Sequence, residues 1–397
     1  MTPNSLSRLL TYRGIPIWRD IRVLQAVSQV VSAIIVVAFV VFFVGNFIDA
    51  ANKRGFSLGF AFLDEEAGFP IAESVIGYDE ADSFRYAFGV GLSNTLKVAL
   101  IGIVAATVLG TIVGLARLSS NWLVRKIAGF YIETIRNVPL LIQLFFWYFA
   151  VFQTLPLVKE SIHWPGPVYL NNRGIYMVWA NPSTSFGSWM LFVAGGLVIG
   201  VVLWVVLSRI QDKTGRPTYP LLAAFLAVLA LPVVGWFLAG ESPLTRDLPV
   251  LGRFNFAGGL RFTPEFTALL VGLVVYTATF IAEIVRAGVL AVDRGQVEAA
   301  RAVGLGGGQT LRYVVFPQAM RVIVPPLISQ CLNLTKNSSL AIAIGYPDLF
   351  AVSRIMINQA GRAVPIFLLV MVSYLAMSLV YAGIGNLYGR RVRIVER

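Results

Sequence analysis

Residues 26–48 form the stretch AVSQVVSAIIVVAFVVFFVGNFI, which contains 23 residues and no charged side chain. A helix needs about 20 apolar residues to cross the hydrocarbon core of a bilayer, so this stretch is long enough to span it. It is also longer than the core of a secretory signal peptide, which has roughly 7–15 apolar residues. Residues 47–50, Phe-Ile-Asp-Ala, make a poor cleavage site. The stretch therefore predicts a retained membrane span.

The whole chain shares this apolar character. Of its 397 residues, 57% are hydrophobic and only 13% are charged, whereas about a quarter of the residues of a soluble domain carry a charge. Seven further stretches qualify as spans, some with polar interruptions: 98–116, 138–155, 189–207, 221–240, 266–282, one that starts near residue 322, and 363–387. The span near residue 322 is expected to be broken by Pro325, Pro326 and Lys336. The pattern predicts an all-α membrane protein with about 8 transmembrane helices.

Lysine and arginine are distributed unequally between the two sets of connecting segments. With the N-terminus inside, nineteen of them fall on the inner side and ten on the outer side. Cytoplasmic segments of membrane proteins are enriched in these residues. We therefore expect a multi-pass membrane protein with both termini in the cytoplasm. The net charge of +12 is split among these short segments, which favours a membrane interpretation over nucleic-acid binding.

Residue types that catalysis or cofactor binding needs are scarce. One cysteine, Cys331, excludes an internal disulfide, and one histidine, His163, leaves no His/Cys metal cluster. The phosphate-binding pattern Gly-x-x-x-x-Gly-Lys-Ser/Thr is absent, so the chain is not expected to bind and hydrolyse ATP itself. No nucleophile–base pattern is visible, which disfavours a membrane enzyme acting on lipid. The sequence predicts a protein that is not an enzyme and has no cofactor or metal of its own.

The connection after the sixth predicted span, residues 293–317, has the sequence DRGQVEAARAVGLGGGQTLRYVVFP. Residues 296–303 are mostly good helix formers, and Asp293 and Glu298 lie near the positive N-terminal end of that helix, where acidic groups are favoured. Gly304 suits a C-terminal cap, and the triple glycine 306–308 lets the backbone turn. Small alanine side chains leave a smooth rod that suits a groove in another protein.

This connection resembles the EAA motif of binding-protein-dependent ABC permeases. Five residues fall in register with it: Glu298, Ala299, Ala300, Gly304 and Pro317. Val314 and Phe316 stand where the family pattern has Ile and Leu, and both remain apolar. In that family the loop forms a coupling helix that sits in a cleft of the cytoplasmic ATPase. The alternative is a surface amphipathic helix between two spans.

Two other segments, 131–146 and 280–289, resemble the polar amino acid branch of this family, and 91–96 is a weaker third. The long segment 156–262 exceeds the usual family connection, as in the general or acidic/amide L-amino acid permeases of proteobacteria. The resemblance implies a type I importer core and transport of glutamate, glutamine, aspartate and asparagine, or of a broad range of L-amino acids. It implies four kinds of partner: a second permease subunit in a heterodimer, two ATPase subunits that bind ATP and Mg, a periplasmic amino-acid-binding protein, and membrane lipid.

The resemblance also implies a location in the bacterial inner membrane. The predicted spans and the resemblance together divide the chain into five parts. These are a cytoplasmic N-terminus (1–25), an N-terminal transmembrane helix (26–48), an acidic periplasmic loop (49–87), a permease transmembrane domain (88–388) and a basic cytoplasmic tail (389–397). In the permease domain, the core 88–155 and 263–388 flanks an insertion, 156–262, with two transmembrane helices, although composition alone leaves its status open. The acidic loop is either solvated or a contact surface for a periplasmic partner.

Charges inside spans mark candidates for the substrate pathway, because each costs about 2.5–3.5 kcal/mol on insertion scales. Lys336 is followed by Asn337, Ser338 and Ser339. This polar patch would meet a substrate carboxylate along the pathway. The alternative is a lysine satisfied by neighbouring carbonyl groups or by the partner subunit.

Two more pairs of residues are candidates. Glu283 and Arg286 lie three residues apart on one helix face and either neutralise one another or leave Glu283 to recognise an amino group. Arg136 and Asn137 begin the third span, as an anchor or as a gate that contacts a carboxylate. Glu133, one turn away, would satisfy Arg136 in the first case.

Two further features bear on packing and on the rival function. Gly110 and Gly114 form a small-xxx-small pair in the second span, unless they reflect the ordinary abundance of glycine in membrane helices. An ion-coupled secondary transporter is the alternative function, but it needs membrane-embedded ion ligands and often internal repeats. The sequence shows no clear repeat.

Overall fold

The computed structural model describes residues 11–12, 15–16, 21–53 and 59–392. The α-helices among them are α1 Ile21–Lys53, α2 Phe84–Arg117, α3 Trp122–Asn137, α4 Leu140–Phe145, α5 Phe186–Thr214, α6 Pro220–Leu238, α7 Pro264–Leu290, α8 Arg294–Ala302, α9 Gly307–Thr310, α10 Phe316–Asn337, α11 Leu349–Ala360 and α12 Ala363–Val392. Most of the predicted N-terminal segment and of the basic tail lies outside the described residues.

Two parallel helices, α2 and α7, form the centre of the fold. Gly110 lies against Ile281 and Gly114 against Ala282, so both helices advance in the same direction along this contact. A Cβ atom on Gly110 would lie 2.6 Å from the Cβ of Ile281, and one on Gly114 would lie 2.6 Å from the carbonyl oxygen of Ala282. The two glycines therefore permit a close backbone approach, which supports the packing interpretation of this pair.

Helix α10 runs back along the central pair. Its Ile323 lies against Gly288 of α7, and its Leu334 lies 3.2 Å from a Cβ placed on Gly102 of α2. The expectation that Pro325 and Pro326 break this span is wrong, because both lie inside the continuous helix α10. Neighbouring helices and local adjustments satisfy the backbone groups that a proline frees in a membrane helix.

The break in this span comes later. After α10 the chain forms a 3-10 helix, Ser338–Ile344, and turns at Gly345, whose φ of +82° is left-handed. Helix α11 then continues at an angle of 53° to the preceding segment. The α3–α4 pair is bent more sharply, by 102°, where Val138 and Pro139 interrupt the helix. A π-helical segment, Phe146–Phe152, extends α4.

Six helices among the described residues are long and apolar enough to cross a membrane, and the two bent pairs raise the number to eight. The prediction of about eight spans agrees with this count. Helices α5 and α6 pack against one another as a hairpin, with few contacts to the central helices. The indole nitrogen of Trp189 donates to the carbonyl oxygen of Pro232 at 2.9 Å and ties the two helices together.

Short antiparallel strands surround this hairpin in the sequence, and no strand was predicted there. The longest sheet has the order β10-β5-β4-β3, and two further pairs are β6–β7 and β8–β9. A separate short pair, β1–β2, lies near the N-terminus. The strands are β1 Thr11–Tyr12, β2 Ile15–Pro16, β3 Ile162–Trp164, β4 Val168–Asn171, β5 Gly174–Met177, β6 Trp179–Pro182, β7 Leu244–Asp247, β8 Val250–Leu251, β9 Phe256–Ala257 and β10 Leu260–Phe262. Runs of two to four residues carry too little alternation to be recognised in a sequence.

The part of the acidic loop that the structure describes has a core of its own. Phe62 and Phe69 pack with Phe84 of α2, and Met356 of α11 belongs to the same buried cluster. Acidic side chains lie around this core, and Asp64 pairs with Arg85 at 2.7 Å on the surface. The segment is therefore a folded cover on the N-terminal ends of α2 and α7.

Candidate functional site

Helix α8 carries the EAA-like residues and is fixed at both ends. At its start the carboxylate of Asp293 accepts a hydrogen bond from the backbone nitrogen of Gly295 at 2.6 Å. At its end the nitrogen of Gly304 donates to the carbonyl of Arg301, and that of Leu305 donates to the carbonyl of Ala300. Gly304 has a φ of +85°, which completes a Schellman motif. The expected glycine cap is confirmed.

The motif residues point in two directions. Glu298 and Ala299 are exposed, whereas Ala300 is only 5% exposed and packs inward. The idea that all the alanines line an outer rod is therefore wrong for Ala300. Val303, which is 78% exposed, takes its place on the outer surface.

The triple glycine is less of a break than the sequence indicates. Gly306 precedes helix α9, and the side-chain oxygen of Gln309 accepts from its backbone nitrogen at 3.0 Å. Gly307 and Gly308 are helical, because they begin α9 and the chain runs on through a π-helical segment, Leu311–Val315, into α10. The turn is made at Gly304, whose left-handed backbone conformation favours glycine because glycine has no Cβ atom.

This continuity connects the exposed helix to a membrane span. Pro317 is exposed near the start of α10, a position where a missing N–H group is tolerated. Gln318 of α10 and Gln296 of α8 contact one another through their side-chain amides at 3.5 Å. Helix α8 is thus joined to α10 by the turn at Gly304, by the short helix α9 and by this side-chain contact.

Lys336 lies in the last turn of α10, where exposed carbonyl groups favour a cation. It is exposed and has no side-chain partner within the described part of the chain. Ser338 is buried and its hydroxyl donates to the carbonyl of Thr335, while Ser339 donates to the carbonyl of Lys336, both at 2.8 Å. The two serines cap the helix end, and Asn337 beside them is half-buried.

Glu283 and Arg286 form the ion pair that their spacing indicates, with 2.9 Å between nitrogen and oxygen. The expected pairing of Arg136 with Glu133 does not form. Glu133 pairs instead with Arg117 of α2, at 3.3 Å. The guanidinium of Arg136 lies 5.1 Å from the ring centroid of Phe280, one turn before Glu283 on α7.

Asn137 follows Arg136 at the bend between α3 and α4, and both are exposed. The pathway candidates therefore form two groups at different depths. Glu283 lies in α7, and Arg136 contacts the neighbouring turn of the same helix. Lys336 follows Leu334, which lies at the level of Leu270. Thirteen residues of helix separate Leu270 from Glu283, which is about 20 Å, so one small solute does not touch both groups at once.

A polar cluster that sequence reasoning left unassigned lies at the N-terminal ends of α2 and α7. The carboxylate of Glu73, in the acidic cover, accepts from the ammonium of Lys97 at 2.7 Å and from the hydroxyl of Thr263 at 2.5 Å. The same ammonium lies 4.2 Å from the ring centroid of Phe266. Glu73 thus neutralises the lysine of α2 and ties the cover to the first residue before α7. Lys97 directly precedes the second predicted span, 98–116, and its partner Glu73 is distant in sequence.

Asn94 extends this cluster to the bend before α11. Its amide nitrogen donates to the carbonyl oxygens of Glu73 and Pro347, both at 2.8 Å. The hydroxyl of Tyr346 donates to the carbonyl of Asn94 at 3.3 Å, and all three contacts are buried or half-buried. One amide therefore joins the cover, α2 and the α10–α11 connection.

Among the described residues no three His, Cys, Asp or Glu side chains lie close enough together to hold a metal ion. Lys97 and Arg286 are paired with carboxylates, but buried side-chain oxygens of Asn94, Gln143 and Asp348 have no hydrogen-bond partner among the described residues. The arrangement suits recognition and movement of a polar solute, and the exposed helix α8 suits contact with another protein.

Residues 196–394 match the family described as "Binding-protein-dependent transport system inner membrane component". The chain is 46% identical over 355 residues to a putative amino-acid ABC transporter permease protein of Escherichia coli (strain K12), with 89% of this chain and 90% of the relative covered. It is 44% identical over 343 residues to a general L-amino acid transport system permease protein of Rhizobium johnstonii, covering 85% and 84%.

A third relative extends the match to almost the whole chain. It is a glutamate/glutamine/aspartate/asparagine transport system permease protein of Rhodobacter capsulatus, 37% identical over 426 residues, with 95% of this chain and 96% of the relative covered. The chain therefore belongs to the family of binding-protein-dependent transport system inner membrane components, as an ABC importer permease of the amino acid branch, and this prediction is confirmed.

Proposed function

We propose that this chain is the permease subunit of an importer for acidic amino acids, their amides or a broader range of L-amino acids, and that it docks its ATPases through α8. The observation that supports the docking role most directly is the split of the motif on α8. Glu298 and Ala299 face outward while Ala300 anchors the helix inward. A short helix held at both ends, which exposes Glu298 beside the small side chains of Ala299 and Ala302, suits a groove in a partner protein.

The partners follow from this role. Two cytoplasmic ATPase subunits would bind ATP and Mg and receive the α8 helices of two permease subunits, this one and a related second chain. A periplasmic binding protein would deliver the substrate at the opposite end of α7. The excess of lysine and arginine on the inner segments supports a cytoplasmic position for α8 and for both termini.

The proposed substrates rest on the relatives together with the charges of the pathway. One relative is described as a general L-amino acid permease protein and another as a glutamate/glutamine/aspartate/asparagine permease protein. Lys336, with Asn337 and Ser339, offers a cation and polar groups for a carboxylate. Arg136 with Asn137, and Glu283 with Arg286, lie deeper along α7 and would meet the solute at a later step.

Coupling would use the connection from α8 through the turn at Gly304 and the helix α9 to α10. When the ATPases close around ATP they would carry α8 with them, and the helical connection through α9 would move α10 against α7. The two candidate groups, about 20 Å apart along α7, would then be exposed in turn. Mutual neutralisation holds the Glu283–Arg286 pair in place while the solute passes.

The alternative of an ion-coupled secondary transporter finds no support in the relatives. One relative that covers most of the chain is described as an amino-acid ABC transporter permease protein, and two others as permease proteins of amino acid transport systems. Requirement for an ATPase separates the two classes, because a secondary transporter moves its substrate without one.

Charge reversal on α8 tests the docking role. The Glu298→Lys variant should lose at least tenfold of its uptake of labelled glutamate and should no longer co-purify with the ATPase, because a lysine replaces the outward acidic side chain. The matched control is Glu241→Lys, another exposed glutamate, in the connection between α6 and β7 at the other side of the molecule. Normal uptake by Glu298→Lys with an intact complex would contradict the docking role.

A further inference from the structure

A charged cleft lies among the short strands, apart from the helices that carry the transport candidates. It has a volume of about 470 Å³, within the usual range for small-molecule sites. One wall is the turn between β4 and β5, with Asn172 and Arg173, and the other is the tip of the β8–β9 hairpin, with Arg253 and Phe254. The 3-10 helix Val158–Glu160 closes the third side.

Buried hydrogen bonds hold the β4–β5 wall in place. The amide of Asn171 donates to the hydroxyl of Ser161 at 3.0 Å, and that hydroxyl donates to the carbonyl of Val158 at 2.6 Å. The oxygen of the same Asn171 amide accepts from the backbone nitrogen of Arg173 at 2.9 Å. The 3-10 helix and the turn are therefore fixed relative to one another before any ligand binds.

The opposite wall is fixed as well. The hydroxyl of the buried Tyr176 donates to the side-chain oxygen of Asn255 at 2.6 Å, which anchors the hairpin tip on strand β5. The carbonyl of Asn255 accepts from the nitrogen of Gly252 at 2.9 Å across the tip. Both walls of the cleft are thus preformed, which lowers the entropic cost of binding.

Three cations line this cleft without a carboxylate partner in the part of the chain that the structure describes: Lys159, Arg173 and Arg253. All three are exposed. Cations that share a small cleft repel one another, and an anion placed between them relieves that repulsion. Arginine presents a planar fork that binds carboxylates in bidentate fashion, so the cleft suits a ligand with more than one carboxylate.

The cleft also has groups for a positive charge. The side-chain oxygen of Asn172 is buried and accepts no hydrogen bond from the described residues, and such an orphan acceptor indicates a missing donor. Glu160 contributes the cleft's one carboxylate. Leu157 and Phe254, 64% and 74% exposed, add apolar surface. An ammonium group between Asn172 and Glu160 would satisfy both oxygens.

We propose that this cleft is an accessory binding site for a free acidic amino acid, with its carboxylates on the three cations and its ammonium on Asn172 and Glu160. The site belongs to the short-strand region, and the strand β10 that completes its sheet leads directly into α7. The chemistry of the site follows from the cleft, whereas its role in supplying substrate rests on the proposed transport function. An occupied cleft would raise the local concentration of substrate near the outer end of α7.

The experiment measures binding of L-glutamate to the full chain in lipid nanodiscs, without ATPases, by calorimetry. The variant Arg173→Gln/Arg253→Gln should bind at least tenfold more weakly than the parent chain. The control is Arg246→Gln, an exposed arginine on strand β7 outside the cleft, and it should bind as the parent does. Arg173 holds Arg261 through its backbone carbonyl, so the side-chain change leaves that contact intact.

Two further probes identify the ligand class. Glutarate has both carboxylates but no ammonium and should bind more weakly than L-glutamate, and inorganic phosphate should not compete at equal concentration. Equal binding of glutarate, effective competition by phosphate, or unchanged glutamate binding in the double variant would overturn the proposal. The Glu298→Lys variant should bind glutamate normally, so a failure of ATPase docking and a failure of this site are told apart.

Discussion

The two helix pairs α2–α7 and α5–α6 differ in structure although they look alike in sequence. The mean hydropathy of their most apolar windows is 2.5 and 2.2 for α2 and α7, and 2.7 and 2.5 for α5 and α6. Yet the share of these windows that is buried inside the protein is 33% for α2 and 56% for α7, against 11% for α5 and 6% for α6. Hydropathy shows that a helix suits an apolar environment. It does not distinguish lipid from protein interior, because the two are equally apolar.

The glycines refine this comparison. Both pairs contain glycines in close contact, since Gly114 meets α7 and a Cβ on Gly235 of α6 would lie 2.5 Å from the ring of Phe192 in α5. The hairpin is therefore well packed internally, and it differs from the centre in having few outside neighbours. A damaging substitution in the centre should disturb the transporter, whereas one on the outer surface of the hairpin should not.

The largest expected effect comes from Gly114→Val. The added atoms meet the backbone of Ala282 and the side chain of Val285, and overpacking of this kind costs about 1–3 kcal/mol or more. The matched control is Gly195→Val in α5, where nothing lies within 4 Å of an added Cβ. Thermal unfolding in detergent should show a clear loss for the first and almost none for the second. Equal losses would contradict the distinction between the two pairs.

A smaller effect is expected at the polar end of the centre. Glu73→Gln leaves the ammonium of Lys97 among aromatic rings without its carboxylate, and loss of one partner of a half-buried charged hydrogen bond costs about 1–3 kcal/mol. Arg85→Gln, which removes the exposed pair with Asp64, should cost less than about 1 kcal/mol.

A double-mutant cycle with Lys97→Met completes this test. Because the two side chains interact directly, Glu73→Gln/Lys97→Met should lose less stability than the sum of the two single variants. Strict additivity would show that Glu73 and Lys97 do not interact in the folded membrane protein.

The smallest effect is expected from removing the hairpin. Strands β6 and β7 pair Pro182 with Leu244, so the chain ends on either side of the hairpin already lie side by side. Replacing residues 183–243 with Asn-Gly, a favoured two-residue turn, should leave the unfolding temperature of the remaining chain within a few degrees. A chain that no longer folds would show that the central helices depend on α5 and α6.

The EAA-like connection, residues 293–317, shows how much local structure a sequence motif predicts. The register of Glu298 and Gly304 was visible in the sequence, as was the cap geometry, because a glycine after a short helix has few other uses. The inward packing of Ala300 and the helical state of Gly307 and Gly308 were not. Both depend on the helices α9 and α10 that follow, and local propensity does not specify them.

Distant contacts were the least accessible to sequence reasoning. Arg136 had a nearby acidic residue, Glu133, yet that residue reaches Arg117 of another helix. Lys97 directly precedes a predicted span, and its partner Glu73 lies in a loop that composition described only as acidic. Spacing along one helix ranks possible partners, but the crossing of two helices selects among them.

The sequence alone determined the membrane class, the approximate number of spans and the family, because apolar length and a short motif are local properties. The tertiary structure decided which spans are central, which charges are paired, and where the short strands form a cleft. These outcomes depend on which helix faces meet. The sequence does not show this, because the lipid-facing and protein-facing surfaces of a membrane helix are equally apolar. Close-packed glycines such as Gly110 mark the face of a helix that packs against another, once that other helix is known.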